Sequence, residues 1–267
     1  MDGSPGTITE QVRFKFAFVA RDVIQKEFSQ LNVLGSCCGG SAEGGSCCST
    51  ASGESVASPA SKLYPADELE AVPGLAVSAS SGCGNPIELA DPRPGEVIAD
   101  LGSGAGVDAF LASRRVGPQG KVHGIDLANE MVALATSAKR SGGFHNVEFQ
   151  AAQMEAIPLA DSSVDAVMSN CAVNLATDKE AVFREINRVL KPGGRVAICD
   201  VVASDALTPE ERASRGSYVD CIAGALSIGE YSSGLRGAGL DDIRIAPIRP
   251  VADGMFAAAV TGRKPGA

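Results

Sequence analysis

Three cysteines in separate parts of the chain have contexts in which thiols could do chemistry together. Cys83 lies in the loop "SGCGNP", Cys171 in "SNCAVNL" and Cys221 in "YVDCIAGAL". Thiolate sulfurs are soft ligands, so a site built only from them suits a soft, thiophilic centre. We therefore expect such a centre at this site if the fold brings the three loops over one pocket.

The other five of the eight cysteines have less specific contexts. Cys199 lies inside the apolar segment "RVAICDVV", where a free cysteine is typically a small buried hydrophobe. Cys37 and Cys38, like Cys47 and Cys48, form an adjacent pair in a Gly- and Ser-rich stretch, which differs from the spacing of structural zinc ligands. Three interpretations stay open for these pairs: a zinc site, thiols that capture a soft ion or exchange disulfides, and a tail without catalytic duty.

Composition limits the class of protein. The 267 residues carry a net charge of -9 and a pI near 4.8, which opposes binding to a phosphate backbone. No apolar run approaches the ~20 residues of a bilayer span, and the opening "MDGSPGTITEQ" has neither the basic flank nor the apolar stretch of a signal peptide. We expect a soluble cytoplasmic protein with reduced thiols and with neither nucleic acid nor membrane as a partner.

The chain beyond residue 62 alternates predicted strands and helices. The expected strands are 96–101, 121–126, 147–153, 164–170, 195–202, and two more in "DIRIAPI" and "FAAAVTG". The expected helices run to about residue 116 and over about 129–139, 177–190 and 231–238, the third of them starting at a capping box of Thr177 and Glu180. This alternation predicts an α/β fold, in which helices cover both faces of a mostly parallel sheet.

Residues 1–61 differ in composition from the rest of the chain. An amphipathic pattern predicts a helix over about 9–28 that could pack on a core. Residues 34–61 are rich in Gly, Ser, Ala and Cys and too poor in large apolar groups to repay the entropy of ordering, so a flexible linker is expected. The predicted organisation is therefore an N-terminal helix with a Cys-rich segment over 1–61, followed by an α/β domain over 62–267.

The segment "DLGSGAG" lies at the carboxyl end of the first predicted strand, where open α/β sheets bind ligands. Gly102, Gly104 and Gly106 would let the backbone turn sharply and approach a ligand. The spacing departs from the dinucleotide fingerprint because Val107 occupies the position of its third glycine, so an NAD enzyme fits poorly. Asp126, which ends the second predicted strand, could accept hydrogen bonds from both hydroxyls of a ribose.

Four segments in the expected order, "VIADLGSGAG", "GIDLANEM", "QMEAIPLADSSVDAVMSN" and "VLKPGGRV", resemble class I S-adenosylmethionine-dependent methyltransferases. The resemblance covers about 96–264 and implies a Rossmann-like seven-stranded sheet whose last strand is antiparallel, with S-adenosylmethionine as cofactor. Asp126 would hold the ribose, Leu127 and Met131 would flank the adenine, and Asn170 would lie near the sulfonium. The full implied cofactor set is Asp100, Gly102, Ser103, Gly104, Gly106, Asp126, Leu127, Met131, Met154, Glu155 and Asn170.

Neither of the two histidines is a convincing general base for methyl transfer to oxygen or nitrogen. His123 lies within the second predicted strand, where a structural role is expected. His145 lies in the turn "SGGFHN", away from the expected site. No residue is therefore predicted as a general base.

The segments that contain the cysteines carry a second, narrower resemblance. The segments "SGCGNP", "SNCAVNLATDK" and "DCIAGA", with "SCCG" upstream, resemble arsenite methyltransferases over about 36–240. This family implies that Cys83, Cys171 and Cys221 bind As(III) as thiolates and leave its lone pair free to attack the methyl group. Cys37 or Cys38 would capture arsenite and hand it to these thiols.

The partners implied by the same resemblance are arsenite as a thiol conjugate and glutathione or thioredoxin as reductant. The alternatives are a small-molecule C- or O-methyltransferase of the quinone or sterol type and a non-catalytic arsenite-binding module.

Overall fold

The computed structural model describes residues 7–35 and 58–266. Its strands are β1 (Val97–Leu101), β2 (Lys121–Asp126), β3 (Val147–Ala151), β4 (Val164–Asn170), β5 (Leu190–Ala203), β6 (Asp241–Ala252) and β7 (Met255–Arg263). They form one seven-stranded sheet in the order β3-β2-β1-β4-β5-β7-β6. The pairs among β1 to β5 are parallel, whereas β7 runs antiparallel to both β5 and β6. The α/β class and the antiparallel last strand are thus confirmed.

Helices cover both faces of this sheet. They are α1 (Ile8–Gly35), α2 (Ala66–Leu69), α3 (Gly74–Ser78), α4 (Pro86–Ala90), α5 (Val107–Val116), α6 (Asn129–Ser141), α7 (Lys179–Val189), α8 (Pro209–Ala213) and α9 (Ile228–Gly237). In the part of the chain that the structure describes, no helix combines the length and the hydropathy that crossing a membrane would require.

Two apolar cores form because successive side chains of a strand point to opposite faces of the sheet. In β4, Ala166 and Met168 pack in the core under α5 and α6, while Val167 between them packs in the core under α7 and α9. All three side chains are fully buried. This two-sided burial holds the carboxyl ends of β1 and β4, where ligands are expected, in fixed positions.

The start of α7 differs from the prediction. The capping box of Thr177 and Glu180 is wrong, because Asp178 is the N-cap residue and its side chain accepts from the backbone N–H of Ala181. Aspartate caps a helix as well as threonine does, and two adjacent capping residues leave the starting residue ambiguous in the sequence. The helix also ends one residue earlier than predicted, since Leu190 already belongs to β5.

The predicted N-terminal helix is present as α1, over a longer range than expected. It is fastened to the α/β domain by an ion pair between Arg21 and Glu130 (2.7 Å) and by Lys15, whose Nζ lies 2.8 Å from the carbonyl oxygen of Val219 and 2.5 Å from Oδ1 of Asp220. Of the predicted linker, residues 34 and 35 end α1, and Pro59–Lys62 forms a short 3-10 helix. Residues 36–57 of the linker lie outside the described ranges.

Candidate functional site

A pocket opens at the carboxyl ends of β1, β2 and β4, beside the Gly-rich loop. Gly102, Gly104 and Gly106 have φ values of 69°, 52° and 95°, in the left-handed region that favours glycine. A Cβ at Gly106 would lie 2.6 Å from the Phe149 ring, and a Cβ at Gly102 would collide with that of Ala172. The loop therefore needs glycine both for its backbone angles and for its packing.

Asp126 is held by backbone donors at the edge of this pocket. The N–H of Gly104 donates to Oδ2 and the N–H of Ala128 to Oδ1, both at 2.8 Å. Burial raises the pKa of this carboxyl group, and the two N–H donors act in the opposite direction. Each oxygen keeps acceptor capacity for a further donor, as the two hydroxyls of a ribose would require.

The pocket gathers most of the predicted cofactor residues. Its lining includes Gly102, Ser103, Gly104, Gly106, Asp126, Leu127, Met131, Met154, Glu155 and Asn170. Asp100 is the exception: it does not line the pocket but lies buried at the end of β1, where its Oδ2 has no hydrogen-bond partner. Burial raises the pKa of Asp100 well above its usual range, and the neighbouring carboxylates Asp108 and Asp126 add to that shift.

One wall of the pocket was not anticipated from the sequence. Thr9, Val12, Arg13 and Phe16 of α1 face the cofactor loop across the opening. The amphipathic pattern of this segment indicates a packed helix but not the surface on which it packs. Asp108, in the first turn of α5, also lines the pocket without having been predicted.

The three predicted thiols meet around Cys171, directly beyond the end of β4. The Sγ atoms of Cys171 and Cys221 and a carboxylate oxygen of Asp200 all lie within 4.8 Å of one another. Cys221 donates its thiol hydrogen to the carbonyl oxygen of Cys171, with an S to O distance of 3.0 Å. Cys171 also packs against the cluster that contains Cys83 and Cys199. Cys171 itself lines the pocket, so the thiol group adjoins the proposed cofactor site.

The surroundings of Cys171 favour a neutral thiol at this residue at rest. Hydrogen bonding with Cys221 and Cys83, together with burial, raises the pKa of Cys171 well above its usual range. A soft ion that binds sulfur as thiolate must therefore displace protons from this group.

Asp200 is a fully buried carboxylate beside Cys171 and Cys221, and no sequence motif points to it. Its oxygens accept from the backbone N–H of Asn174 (3.0 Å), from the Asn174 side chain (2.9 Å) and from the backbone N–H of Val201 (2.9 Å). Burial raises the pKa of Asp200 to about 7, and the donors from Asn174 and Val201 oppose that shift. The Nδ2 atom of the same Asn174 side chain lies 3.5 Å from the carbonyl oxygen of Cys221. Asn174 therefore links the segment that follows Cys171 with the segment that carries Cys221.

Cys199 occupies β5 and is 1% exposed, as expected for a structural cysteine. Its sulfur packs closely on the Cys83 loop (residues 82–84). A Cβ at Gly84 would lie only 2.6 Å from the Sγ atom of Cys199. Neither His123 nor His145 lines the pocket. The predicted capture thiols Cys37 and Cys38, and the pair at 47 and 48, lie outside the described residues.

Comparisons with known proteins point to one family. Residues 92–239 match the family described as "Methyltransferase domain". An arsenite methyltransferase of Halobacterium salinarum is 40% identical over 234 residues, which are 85% of this chain and 59% of that protein. An arsenite methyltransferase of Aquipseudomonas alcaligenes is 38% identical over 162 residues, which are 58% of this chain and 46% of that protein. The chain thus spans about half the length of these curated relatives.

Among solved structures, an arsenic(III) S-adenosylmethionine methyltransferase from Chlamydomonas reinhardtii superimposes with a TM-score of 0.58 at 30% identity. The match covers 76% of this chain and 71% of that one. It supports the same family as the sequence comparisons.

Proposed function

We propose, because this chain belongs to the S-adenosylmethionine-dependent methyltransferases and within them to the arsenite methyltransferase family, that it methylates trivalent arsenic. The acceptor would be As(III) held as thiolate by Cys83, Cys171 and Cys221. The observation that carries this proposal is that Cys221 and Cys83, from distant chain segments, both lie against Cys171, a residue that also lines the pocket at the Gly-rich loop.

The residues of that pocket fit an adenosyl cofactor. The glycines at 102, 104 and 106 give the loop left-handed backbone angles that let it turn beside the pocket, and Asp126 keeps free acceptor capacity on both oxygens. Ser103 and Glu155 add polar groups, while Leu127 and Met131 add apolar surface for a base. When bound, S-adenosylmethionine would supply a methyl group activated by the positive charge of its sulfonium.

Ligand exchange at arsenic explains why no general base is needed. If arsenite arrives as a conjugate with a small thiol such as glutathione, each cysteine replaces one of those thiols on arsenic. The proton of the cysteine then leaves on the released thiol, so the exchange is balanced without a histidine in the pocket. A neutral Cys171 thiol at rest, as its raised pKa implies, is compatible with this route.

Once held by sulfur, As(III) keeps a lone pair that can form the bond to carbon. That step formally oxidises arsenic to As(V), and a reductant must return it to the trivalent state before another cycle. We assign this role to glutathione or thioredoxin. The four described cysteines are free thiols, which supports a reducing compartment such as the cytoplasm.

The decisive experiment incubates the purified protein with S-adenosylmethionine, glutathione and arsenite, and separates the arsenic species by chromatography with element-specific detection. We expect methylated arsenic from the wild type and from the control Cys199→Ala, and none from Cys171→Ser. Absence of product from a wild type that binds the cofactor would refute the proposal. Stoichiometric binding of arsenite in that case would indicate a binding module, and transfer to an organic acceptor would indicate a C- or O-methyltransferase.

A further inference from the structure

We infer that Asn170 is a positioning residue that couples the cofactor pocket to the Cys83 loop, defined as residues 82–84. This inference rests on the proposed function, because the loop matters only if Cys83 is a ligand of the substrate. It gives Asn170 a role different from the one that the sequence implied, a position near the sulfonium. The argument depends on which groups the two ends of its amide contact.

The amide oxygen of Asn170 holds the backbone of the Cys83 loop. Oδ1 accepts from the N–H of Cys83 at 2.9 Å and from the N–H of Gly84 at 3.3 Å, and Nδ2 donates to the carbonyl oxygen of Gly84 at 2.8 Å. A Cβ at Gly82 would lie 2.5 Å from Nδ2, so the absence of a side chain there permits the close approach. One side chain thus fixes the loop that carries Cys83 beside Cys171.

The amide nitrogen of Asn170 also reaches the cofactor pocket. Nδ2 lies 3.2 Å from Oδ2 of Asp108 and 3.1 Å from the hydroxyl oxygen of Tyr64. The Tyr64 hydroxyl in turn donates a short hydrogen bond to Oδ1 of Asp108. Because Asp108 lines the pocket, the carboxylate connects the bound molecule to the residue that holds the loop.

A cation in the pocket would strengthen this connection. The donors that hold Asp108 are neutral, and burial raises the pKa of this carboxyl group to about 6. At neutral pH this carboxyl group is therefore largely ionised, and an ionised carboxylate is a strong acceptor for the amide of Asn170. A positive group of the bound cofactor, such as its α-ammonium group, would be attracted to Asp108 and would hold its side chain in place. Cofactor binding should therefore order Asp108 and Asn170, and so restrain the Cys83 loop before arsenic arrives.

The test measures the rate at which iodoacetamide alkylates Cys83, by peptide mass spectrometry, with and without saturating S-adenosylhomocysteine. The side chain of Cys83 is 7% exposed, so alkylation requires the loop to open. Asn170→Ala removes the hydrogen bonds to the loop and should raise the rate about tenfold or more. S-Adenosylhomocysteine, which keeps the α-ammonium group, should slow the reaction severalfold in the wild type and have no such effect in Asn170→Ala.

Asn146 provides a matched control, because its side chain makes three hydrogen bonds, as many as Asn170 makes to the Cys83 loop, to Ser113 and Gly117 at the far end of α5. Asn146→Ala should lower thermal stability but leave the alkylation of Cys83 and its response to S-adenosylhomocysteine unchanged. Tyr64→Phe offers a second variant if Asn170→Ala does not fold. It keeps the amide bonds to Cys83 and Gly84, and of the contacts to the loop it removes only a long one of the hydroxyl with the carbonyl oxygen of Gly84 (3.4 Å). Tyr64→Phe should therefore weaken the response to S-adenosylhomocysteine, and it should raise the rate without that molecule much less than Asn170→Ala does.

Two results would overturn the inference. A Cys83 alkylation rate in folded Asn170→Ala within about twofold of the wild type would exclude positioning, since the lost bonds predict a larger change. Equal protection by S-adenosylhomocysteine in the wild type, Asn170→Ala and Tyr64→Phe would show that the bound molecule simply covers the thiol. No arsenic enters these measurements, so a failure of the proposed methylation would be detected separately.

Discussion

Cys171 and Cys221 share a backbone conformation that is uncommon for a residue with a Cβ. Their φ angles are 55° and 62°, in the left-handed region. This conformation costs an L-residue about 1–2 kcal/mol, whereas glycine adopts it without that cost. We therefore predict that the thiol positions reduce the stability of the fold, and that glycine would recover part of the loss.

Comparing alanine with glycine at one position separates strain from the loss of sulfur. Cys171→Ala and Cys171→Gly both remove the thiol, but only glycine relieves the strained φ. Relief of about 1–2 kcal/mol, less about 0.5–1 kcal/mol for the greater entropy of glycine in the unfolded chain, leaves glycine favoured by about 0–1.5 kcal/mol, with a central value of about 0.75 kcal/mol. The same order is expected for Cys221. At Cys199, inside β5 and without a positive φ, alanine should instead be the more stable by about 1 kcal/mol.

The assay is urea unfolding at equilibrium, followed by far-ultraviolet circular dichroism because the chain has no tryptophan. The free energy of unfolding is compared for each alanine and glycine pair at unchanged m-value. The strain argument fails if alanine is as stable as glycine, or more stable, at both thiol positions. Agreement would mean that these sites accept a cost in stability to aim their side chains, as functional sites often do.

Two further predictions concern α1 and the partly buried His123. Lys15→Met removes the ion pair between α1, which lines the pocket, and Asp220. It should weaken the binding of S-adenosylmethionine, measured by calorimetry, about twofold to fivefold, as expected for a partly exposed ion pair. The control Lys26→Met removes only an ion pair within α1 and should leave the binding unchanged. Burial, aided by Lys121, lowers the pKa of His123, so the unfolded chain binds its proton more readily and stability falls as the pH drops below about 6.5. His123→Gln should reduce the change of the unfolding free energy with pH by up to about 1.4 kcal/mol per pH unit, as measured by urea unfolding at several pH values. His145→Gln is the control. An unchanged pH dependence in His123→Gln would contradict the assignment.

The features predicted well from the sequence are those with local signals. Strands β2 and β4 begin and end where the apolar pattern indicated, because a buried strand is bounded by the polar and Gly-rich turns beside it. The Gly-rich loop was placed correctly at the end of β1, since its three glycines adopt backbone angles that other residues avoid.

The features missed from the sequence depend on contacts between distant segments. Phe16 lines the pocket from α1, more than eighty residues before the Gly-rich loop, and no pattern within the helix says what it covers. Asp100 was assigned to the cofactor because of its motif, although burial removes it from the pocket. Asn170 was also assigned from its motif, but its hydrogen bonds to Cys83 depend on the fold of a loop 87 residues earlier.

The strained backbone at Cys171 explains how neighbouring residues serve one site. In a regular strand, side chains alternate between the two faces, so Asn170 and Cys171 would point apart if β4 continued. The strand ends at Asn170, and the positive φ of Cys171 turns the chain out of that alternation. Asn170 can then bind the backbone of Cys83 while Cys171 packs against the same loop. If Cys171 had an ordinary φ, its thiol would remain, but Asn170 and Cys171 could no longer both reach the Cys83 loop. We therefore expect the backbone strain to accompany the function.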